Sequence, residues 1–200
     1  MLVRDHMSSK VITVTRDCSR STAQALLHKH RFRQLPVLRK DRLVGIVTDR
    51  DLRGAAPGKK TVAEVMTANP SIVAPAAPID EAARLLRSLK IGALPVVEQA
   101  RLIGIITTSD ILDAFVRLCG VAEPTYHLLL SGGEGKEVKW RVRRVIDRQH
   151  GDLKWLYRNP RGGTIDLRVR ATNIGDIIAG LEADGFEVST ILSPRLPLRA

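Results

Sequence analysis

Two places in the chain pair a threonine with an aspartate three residues later, at the end of a Gly-Φ-Φ-Thr-x-x-Asp stretch, where Φ is apolar. The pairs are Thr48/Asp51 and Thr107/Asp110. β-Branched residues before each threonine favour a strand, and the aspartate would then lie in the first turn of a helix. There the carboxylate could accept hydrogen bonds from both hydroxyls of a ribose, while the free N–H groups of the helix favour a nearby phosphate.

The same spacing also fits a capping box, in which the threonine and the acidic residue satisfy the free N–H groups of their own helix. For a single copy of the motif the cap is the better interpretation, because the pattern is common. The surrounding sequence decides between the two.

An offset of 59 positions superposes residues 7–51 on residues 66–110 without a gap, and 14 positions are identical. The identical positions include Leu35-Pro36-Val37/Leu94-Pro95-Val96, Arg42-Leu43/Arg101-Leu102 and the glycines Gly45/Gly104. Self-similarity of this length indicates a duplicated structural unit. It favours descent of the two threonine–aspartate pairs from a common binding site.

Each copy predicts the order strand, helix, strand, strand, helix. The predicted strands are 11–14, 35–38 and 43–48 in the first copy, and 72–73, 94–97 and 102–107 in the second. The first helix of the second copy is expected to be capped by Asp80 and closed by Gly92. The last helix of each copy opens at the Thr-x-x-Asp stretch.

The repeat ends near residue 121, and the remaining sequence predicts the order β-α-β-β-α-β, the ferredoxin-like arrangement. Ile165, Leu167 and Val169 alternate with polar residues and should face inward. Gly151 is expected to end the first helix of this part, Asn173 to cap the second helix and Gly185 to close it.

The duplicated part, with its Leu-Pro-Val strands and two Gly-Φ-Φ-Thr-x-x-Asp stretches, resembles a tandem CBS-domain pair, also called a Bateman module. The last part is similar to an ACT domain in strand order and length. Together they resemble the acetoin-utilisation type of CBS–ACT regulatory protein. The resemblance implies an α/β and α+β architecture, with the CBS pair at residues 1–121 and the ACT-like domain at residues 122–200. The two repeats would span residues 1–56 and 61–119.

In the CBS family, adenosine nucleotides bind in clefts between the repeats. The resemblance therefore implies that Thr48, Asp51, Thr107 and Asp110 contact the ribose. Family contacts also come from residues before the Leu-Pro dipeptide and beside the aspartate. Here these phosphate or cleft-wall candidates are Phe32, Arg33 and Arg50 in the first copy, and Ile91, Gly92 and Ser109 in the second. Because only the first set contains arginines, we expect one cleft to prefer a charged nucleotide such as AMP, ADP or ATP.

The segment Ser131–Lys136 lies where ACT domains bind their ligand. Its glycines could let the backbone approach a carboxylate or a phosphate. However, the Pro-Gly element of amino-acid-binding ACT domains is missing, so we expect a flexible connector.

The composition excludes several other classes of protein. No run of residues approaches the roughly 18 apolar residues that a membrane span needs, and the start MLVRDHMSSK has no apolar signal core, so we expect a cytoplasmic protein without a membrane partner. The only two cysteines, Cys18 and Cys119, form neither a disulfide framework nor a C-x-x-C pair. No H-E-x-x-H, G-x-S-x-G or Walker lysine loop is present. We expect no catalytic residue, no metal site and no required cofactor.

The leading hypothesis is a non-enzymatic regulatory homodimer that binds an adenosyl small molecule, with the ACT-like part pairing subunits or coupling binding to a protein partner. A first alternative is nucleic-acid binding. The chain has a formal net charge of +11, and residues 1–60 hold 14 basic against 5 acidic residues. Aromatic residues make up only 4% and no RNA-binding strand motif is present, which argues against nucleic acid. A second alternative is a structural dimer whose clefts bind no ligand.

Overall fold

The computed structural model describes residues 1–56, 58–121, 123–133, 135, 137–160 and 163–192. The chain forms two compact units, Met1–Leu112 and Asp113–Ala200. No helix within the described ranges is both long and apolar enough to cross a bilayer. Both cysteines are free thiols.

The first unit contains the two copies of the repeat. Its elements are β1 (Val14–Thr15), α1 (Arg20–His30), β2 (Gln34–Arg39), β3 (Arg42–Thr48), α2 (Asp49–Arg53), β4 (Thr67–Ala68), α3 (Ile79–Ser88), β5 (Ala93–Glu98), β6 (Arg101–Thr107) and the start of α4 (Thr108–Leu118). Helix α4 continues past Leu112 into the second unit. The predicted pairs of strands before each threonine–aspartate stretch are confirmed, as are the helices that follow them. The position of the domain boundary near residue 121 stays a prediction, and Ala122 itself lies outside the described residues.

The strands of the first unit form two sheets. One has the order β1-β2-β3-β4, with β1 parallel to β2 and the other neighbours antiparallel, and the second is the antiparallel pair β5-β6. The predicted lead-in strands are wrong in extent. In the first copy only Val14 and Thr15 pair with β2, and in the second copy Val73 alone forms a bridge, with Val96. Each lead-in segment therefore pairs with only one or two residues of the neighbouring strand.

The first residues of each copy pack against the other copy. Val3 and Met7 belong to the apolar cluster that holds Leu94 and Ile106, and Val62 and Met66 belong to the cluster that holds Leu35 and Val47. The backbones of Ser8 and Ile105 also exchange two hydrogen bonds, of 2.9 and 3.0 Å. Each copy therefore completes the core of the other, and the two fold as one unit.

This exchange explains the glycine that opens each repeated stretch. A Cβ added to Gly45 would lie 2.6 Å from Met66 Sδ, and a Cβ added to Gly104 would lie 2.5 Å from Met7 Sδ. Both glycines are buried. Only glycine lets the exchanged methionine lie against the strand.

Three of the predicted helix ends are wrong. Helix α3 begins after Pro78, so Asp80 lies inside its first turn, where its charge still favours the helix dipole. It is closed by Lys90 in the left-handed conformation (φ 54°), not by Gly92. In the second unit His150 (φ 53°), not Gly151, takes that conformation. Both glycines are instead close to neighbouring side chains, since an added Cβ on Gly151 would lie 2.8 Å from atoms of Ile146 and Ile177.

The second unit has the predicted order β-α-β-β-α-β. Its elements are β7 (Tyr126–Gly132), α5 (Val138–Arg148), β8 (Asp152–Arg158), β9 (Ile165–Arg170), α6 (Ile174–Ala183) and β10 (Phe186–Leu192). They form an antiparallel sheet in the order β10-β7-β9-β8. Ile165, Leu167 and Val169 are fully buried, as their alternation predicts. The segment Ser131–Lys136, predicted as a connector, begins inside β7, because Ser131 and Gly132 pair with Glu187 and Phe186 of β10. Glu134 and Lys136 lie outside the described residues.

Both predicted ends of α6 are confirmed. The Asn173 side chain accepts a hydrogen bond from the Gly175 N–H at 3.1 Å, and Gly185 is left-handed with φ 84°. Asp184, just before Gly185, receives two arginines of α5. Its carboxylate lies 2.9 Å from Arg141 Nε and 2.7 Å from an Arg144 guanidinium nitrogen. The hydrogen bond from Arg141 is the main cause that lowers the pKa of Asp184, and both positive charges add to it.

Candidate functional site

The first candidate corner is formed where β3 ends and α2 begins. Thr48 is the N-cap of α2 in an extended conformation. Its N–H and its hydroxyl both donate to Asp51 Oδ2, at 2.8 and 2.7 Å, and its Oγ1 accepts from the Asp51 N–H at 3.2 Å. The predicted threonine–aspartate contact is therefore present and has the geometry of a capping box.

The second corner, between β6 and α4, repeats this geometry. The Thr107 N–H and hydroxyl each donate to Asp110 Oδ2 at 2.7 Å, and the Asp110 N–H donates back at 3.3 Å. Each carboxylate uses one oxygen for its own helix. Among the described residues no hydrogen-bond partner contacts the other oxygen, Oδ1, of either aspartate. The capping box and a ligand contact thus use different oxygens and are compatible.

The residues before each Leu-Pro dipeptide are held beside the corner by backbone bonds. The Asp49 N–H donates to the Arg33 carbonyl at 3.0 Å, and Gln34 pairs with Thr48 across the β2–β3 ladder. In the second copy the Thr108 N–H donates to the Gly92 carbonyl at 3.1 Å, and Ala93 pairs with Thr107. The structure therefore places the predicted cleft residues of each copy next to the threonine of the same copy.

The two cleft segments also meet each other. A Cβ on Gly92 would lie 3.2 Å from the Gln34 Oε1 atom, so the second copy's segment comes close to a side chain of the first. Gln34 is one of the three residues just before the Leu-Pro dipeptide, the segment in which the family resemblance places ligand contacts. Its amide oxygen and nitrogen add hydrogen-bonding groups at the place where the copies join.

The two corners differ in charge. Arg33 and Arg50 are exposed, and neither forms an ion pair with a residue that the structure describes. Asp49 is paired instead with Arg53, one helical turn later. The equivalent positions of the second copy, Gly92 and Ser109, are exposed and neutral. The first corner thus carries two cations that are free to approach an anion, and the second carries none at these positions.

An aromatic ring lies beside the first corner. Phe32 is 44% exposed and stacks on His30 with ring centroids 5.5 Å apart. Its counterpart Ile91 is half-buried. Phe32 directly precedes Arg33, whose carbonyl is bonded to the corner, so the segment beside the first corner carries an exposed aromatic residue that the second copy lacks.

No group of three metal-ligating side chains occurs in the described part of the chain. Each corner instead offers one carboxylate oxygen and the N–H groups of a helix start. These are groups that bind a polar ligand by hydrogen bonding.

Comparison with known proteins finds a family with this repeat. The family model for the CBS domain matches residues 3–58 and 62–117. A CBS domain-containing protein of Dictyostelium discoideum is 33% identical over 141 residues, which cover 62% of this chain and 97% of that protein. An inosine-5'-monophosphate dehydrogenase of Korarchaeum cryptofilum is 40% identical over 102 residues, but the match covers only 21% of that enzyme and 50% of this chain.

Solved structures show the same similarity. The CBS domain pair of protein MJ0100, in complex with 5'-methylthioadenosine and S-adenosyl-L-methionine, is 36% identical with a TM-score of 0.55, over 57% of this chain and 95% of that one. CBSX2 in complex with AMP is 31% identical with a TM-score of 0.55, over 57% and 96%. A putative acetoin utilization protein from Vibrio cholerae is 32% identical with a TM-score of 0.57, over 62% and 96%.

Proposed function

The chain belongs to the CBS domain family, and we propose that it is a non-enzymatic regulatory protein that binds an adenine nucleotide or a related adenosyl ligand. One observation carries this proposal. In each of two equivalent corners, one aspartate oxygen has no hydrogen-bond partner among the described residues, and a backbone hydrogen bond joins the corner to an exposed cleft segment. No cofactor is required for this role.

The ligands of the similar structures support an adenosyl compound. One similar CBS pair holds 5'-methylthioadenosine and S-adenosyl-L-methionine, and another holds AMP. These three molecules share adenine and ribose and differ in what the ribose 5' carbon carries. A site built around the ribose hydroxyls accepts all of them, and the neighbouring side chains then select among the 5' groups.

We assign the ribose contacts to Asp51 and Asp110, each held in place by its threonine. In this assignment Oδ1 accepts from a ribose hydroxyl, because Oδ2 already accepts two hydrogen bonds from the threonine. Arg33 and Arg50 bind the phosphate in the first copy. The second cleft, which has Gly92 and Ser109 at the equivalent positions, suits a ligand with a less negative 5' group.

The remaining parts of the proposal concern assembly. The second unit, as an ACT-like domain beginning near residue 122, would pair two subunits or couple nucleotide binding to a protein partner. A ligand that contacts both copies favours one arrangement of the two, and this preference is the free energy available for signalling. The close approach of Gln34 to Gly92 is one of the places at which the two copies meet, and it joins their cleft segments.

Thermal unfolding of the full chain with added ligand tests this function. AMP, ATP and S-adenosylmethionine should raise the melting temperature in a concentration-dependent way, since a ligand that binds only the folded state stabilises it by RT ln(1 + [L]/Kd). Isothermal titration calorimetry then gives the affinity and the number of sites. If none of the three ligands produced heat or a melting shift, the nucleotide-binding function would be wrong.

Single substitutions locate the site. Asp51→Ala and Asp110→Ala should each weaken binding to their own cleft. Glu64→Ala is a matched control, because Glu64 accepts from the Thr61 N–H and hydroxyl, each at 2.9 Å, in a similar box on a turn outside both corners. That variant loses a cap but no proposed ligand contact. Equal losses of affinity in all three variants would show that the aspartates act only as caps.

A further inference from the structure

We propose that the two hairpin turns of the first unit form a second binding site, which takes a small anion bearing two or more phosphate groups. The turn between β2 and β3 and the turn between β5 and β6 line one cavity of about 310 Å³. Its walls are Lys40, Asp41, Arg42, Gln99, Ala100 and Arg101. This inference goes beyond the proposed nucleotide function, because it uses none of the corner residues.

The arginines of this cavity are related by the internal repeat. Arg42 and Arg101 are separated by the repeat offset of 59 and are identical in the two copies. Both are exposed, and neither forms an ion pair or a side-chain hydrogen bond with any residue described in the structure. Half of the 14 positions that are identical between the copies, such as Leu35 and Leu94, are buried, and the others are half-buried except Arg42 and Arg101. Arg42 and Arg101 do not contribute to the core in this way. A ligand bound by both arginines would explain why the two copies share this residue.

Among the described residues, negative charge only partly compensates the cations around the cavity. Arg42 lies directly opposite Arg39 in the β2–β3 ladder, an arrangement in which like charges repel. Lys40 adds a third positive charge on this hairpin, and Asp41 supplies one negative charge. In the other hairpin Arg101 lies opposite Glu98. The cavity wall itself holds three cations and one carboxylate, so an anion bound there would relieve the repulsion.

The backbone of the turns fixes this arrangement. Both two-residue turns are left-handed, with φ 47° and 64° at Lys40 and Asp41, and φ 48° and 63° at Gln99 and Ala100. Such turns join their strands tightly and follow the twist of the ladder. The arginine that follows each turn is therefore held at the first position of a paired strand and is not on a loose loop.

The size and position of the cavity define the ligand class. Its volume is at the lower end of the range of about 300–1,000 Å³ typical of small-molecule sites, and its charged lining suits phosphate oxygens. Arg42 opens β3 and Thr48 ends it, so the strand separates the cavity from the first corner by roughly 20 Å. A ligand here would be distinct from a nucleotide whose ribose is held at that corner.

Titration calorimetry of the full chain with inorganic pyrophosphate tests the site. We expect one site per chain, because both hairpins line the same cavity. Arg42→Ala and Arg101→Ala should each weaken binding at least about tenfold, the effect of losing one hydrogen bond between charged groups. Asp41→Asn should strengthen binding by removing the opposing charge, and asparagine tolerates the left-handed conformation at this position. A gain of affinity cannot result from misfolding.

The matched control is Arg87→Ala, which removes an exposed positive charge from α3, away from the cavity lining. It should leave pyrophosphate binding unchanged. Titrating ADP into the Asp51→Ala/Asp110→Ala variant shows whether the cavity also accepts the phosphates of a nucleotide. ADP held only by its ribose would no longer bind to this variant, whereas ADP held by its phosphates in the cavity would still bind. The proposal is overturned by an absence of pyrophosphate binding, by equal losses in Arg87→Ala and Arg42→Ala, or by an unchanged affinity in Arg101→Ala. None of these results bears on AMP binding at the corners.

Discussion

Replacing Arg33 with alanine should weaken the binding of a nucleotide's phosphate without weakening the binding of its nucleoside. The Arg33 carbonyl is fixed beside the first corner by the Asp49 N–H at 3.0 Å, while its side chain is exposed and has no ion-pair partner among the described residues. The substitution therefore removes a charge beside the cleft and leaves the backbone of the corner intact. Its effect on folding should stay within about 0.5 kcal/mol, as for other surface positions.

The expected loss of AMP affinity follows from the hydrogen bond between Arg33 and the charged phosphate of the ligand. A hydrogen bond between charged groups contributes about 1.5–3 kcal/mol, which corresponds to roughly a 10- to 150-fold change in Kd. Because Arg33 is exposed, screening by salt favours the lower limit. We expect the Kd for AMP to rise about tenfold at low salt and less at high salt. The Kd for 5'-methylthioadenosine, which has no phosphate, should stay unchanged.

Calorimetry with both ligands measures this difference. Lys29→Ala is the matched control, because Lys29 is an exposed cation at the end of α1 that we place outside the cleft. The reasoning would be refuted by an unchanged affinity for AMP in Arg33→Ala. It would also be refuted by an equal loss for both ligands, which would mean that Arg33 shapes the cleft and does not bind phosphate.

Two further predictions concern stability. Gly104→Ala places a Cβ 2.5 Å from Met7 Sδ, so it should lower the free energy of unfolding by about 1–3 kcal/mol in urea titrations, and Met7→Ala in the same chain should recover part of the loss. Asp184→Asn should destabilise the second unit by about 1–3 kcal/mol at neutral pH, because it removes the carboxylate that receives Arg141 and Arg144. Since these arginines lower the pKa of Asp184, its contribution is complete above the unfolded-state pKa of about 3.9 and is lost as the pH falls through the folded-state pKa below that value. Melting curves between pH 7 and pH 2 should therefore converge for wild type and variant, and a difference that persisted at the lowest pH would contradict this assignment.

Most of the fold follows from local patterns in the sequence. The alternation of apolar and polar residues predicted that Ile165, Leu167 and Val169 lie in the core of the second unit. The internal repeat, with its offset of 59, predicted that both copies of the first unit contain the same pair of strands. The packing of Met7 on Gly104 could not be predicted in this way. Superposing two copies shows which residues are equivalent, but not whether a segment packs on its own copy or on the other one.

The roles of single glycines were also beyond the sequence. Gly92 and Gly151 follow helices, where a left-handed glycine is common, yet Lys90 and His150 take that conformation. Both glycines are instead approached by a side chain that is distant in sequence, Gln34 at Gly92 and Ile177 at Gly151, and Ile146 also lies close to Gly151. Such a contact leaves no local pattern.

For the candidate site, the spacing of threonine and aspartate predicted that the two side chains contact each other. It did not predict which of the two carboxylate oxygens of the aspartate makes that contact. The sequence presented the cap and the ligand site as alternatives. In the structure the two roles are compatible, because Thr48 donates its hydrogen bonds to Asp51 Oδ2 and Oδ1 has no described partner. The contact of Gln34 with Gly92 depends on how the two copies pack, so only the structure could supply it.

Calorimetric titration of AMP into the wild-type chain and into the double variant Asp51→Ala/Asp110→Ala tests the central claim most directly. We predict saturable binding to the wild type. In the double variant the affinity should fall at least tenfold, roughly the effect of losing a charged hydrogen bond to a ribose. Circular dichroism should show that the double variant remains folded. An equal AMP affinity in the two proteins, or no binding to the wild type, would contradict the assignment of the corners as nucleotide sites.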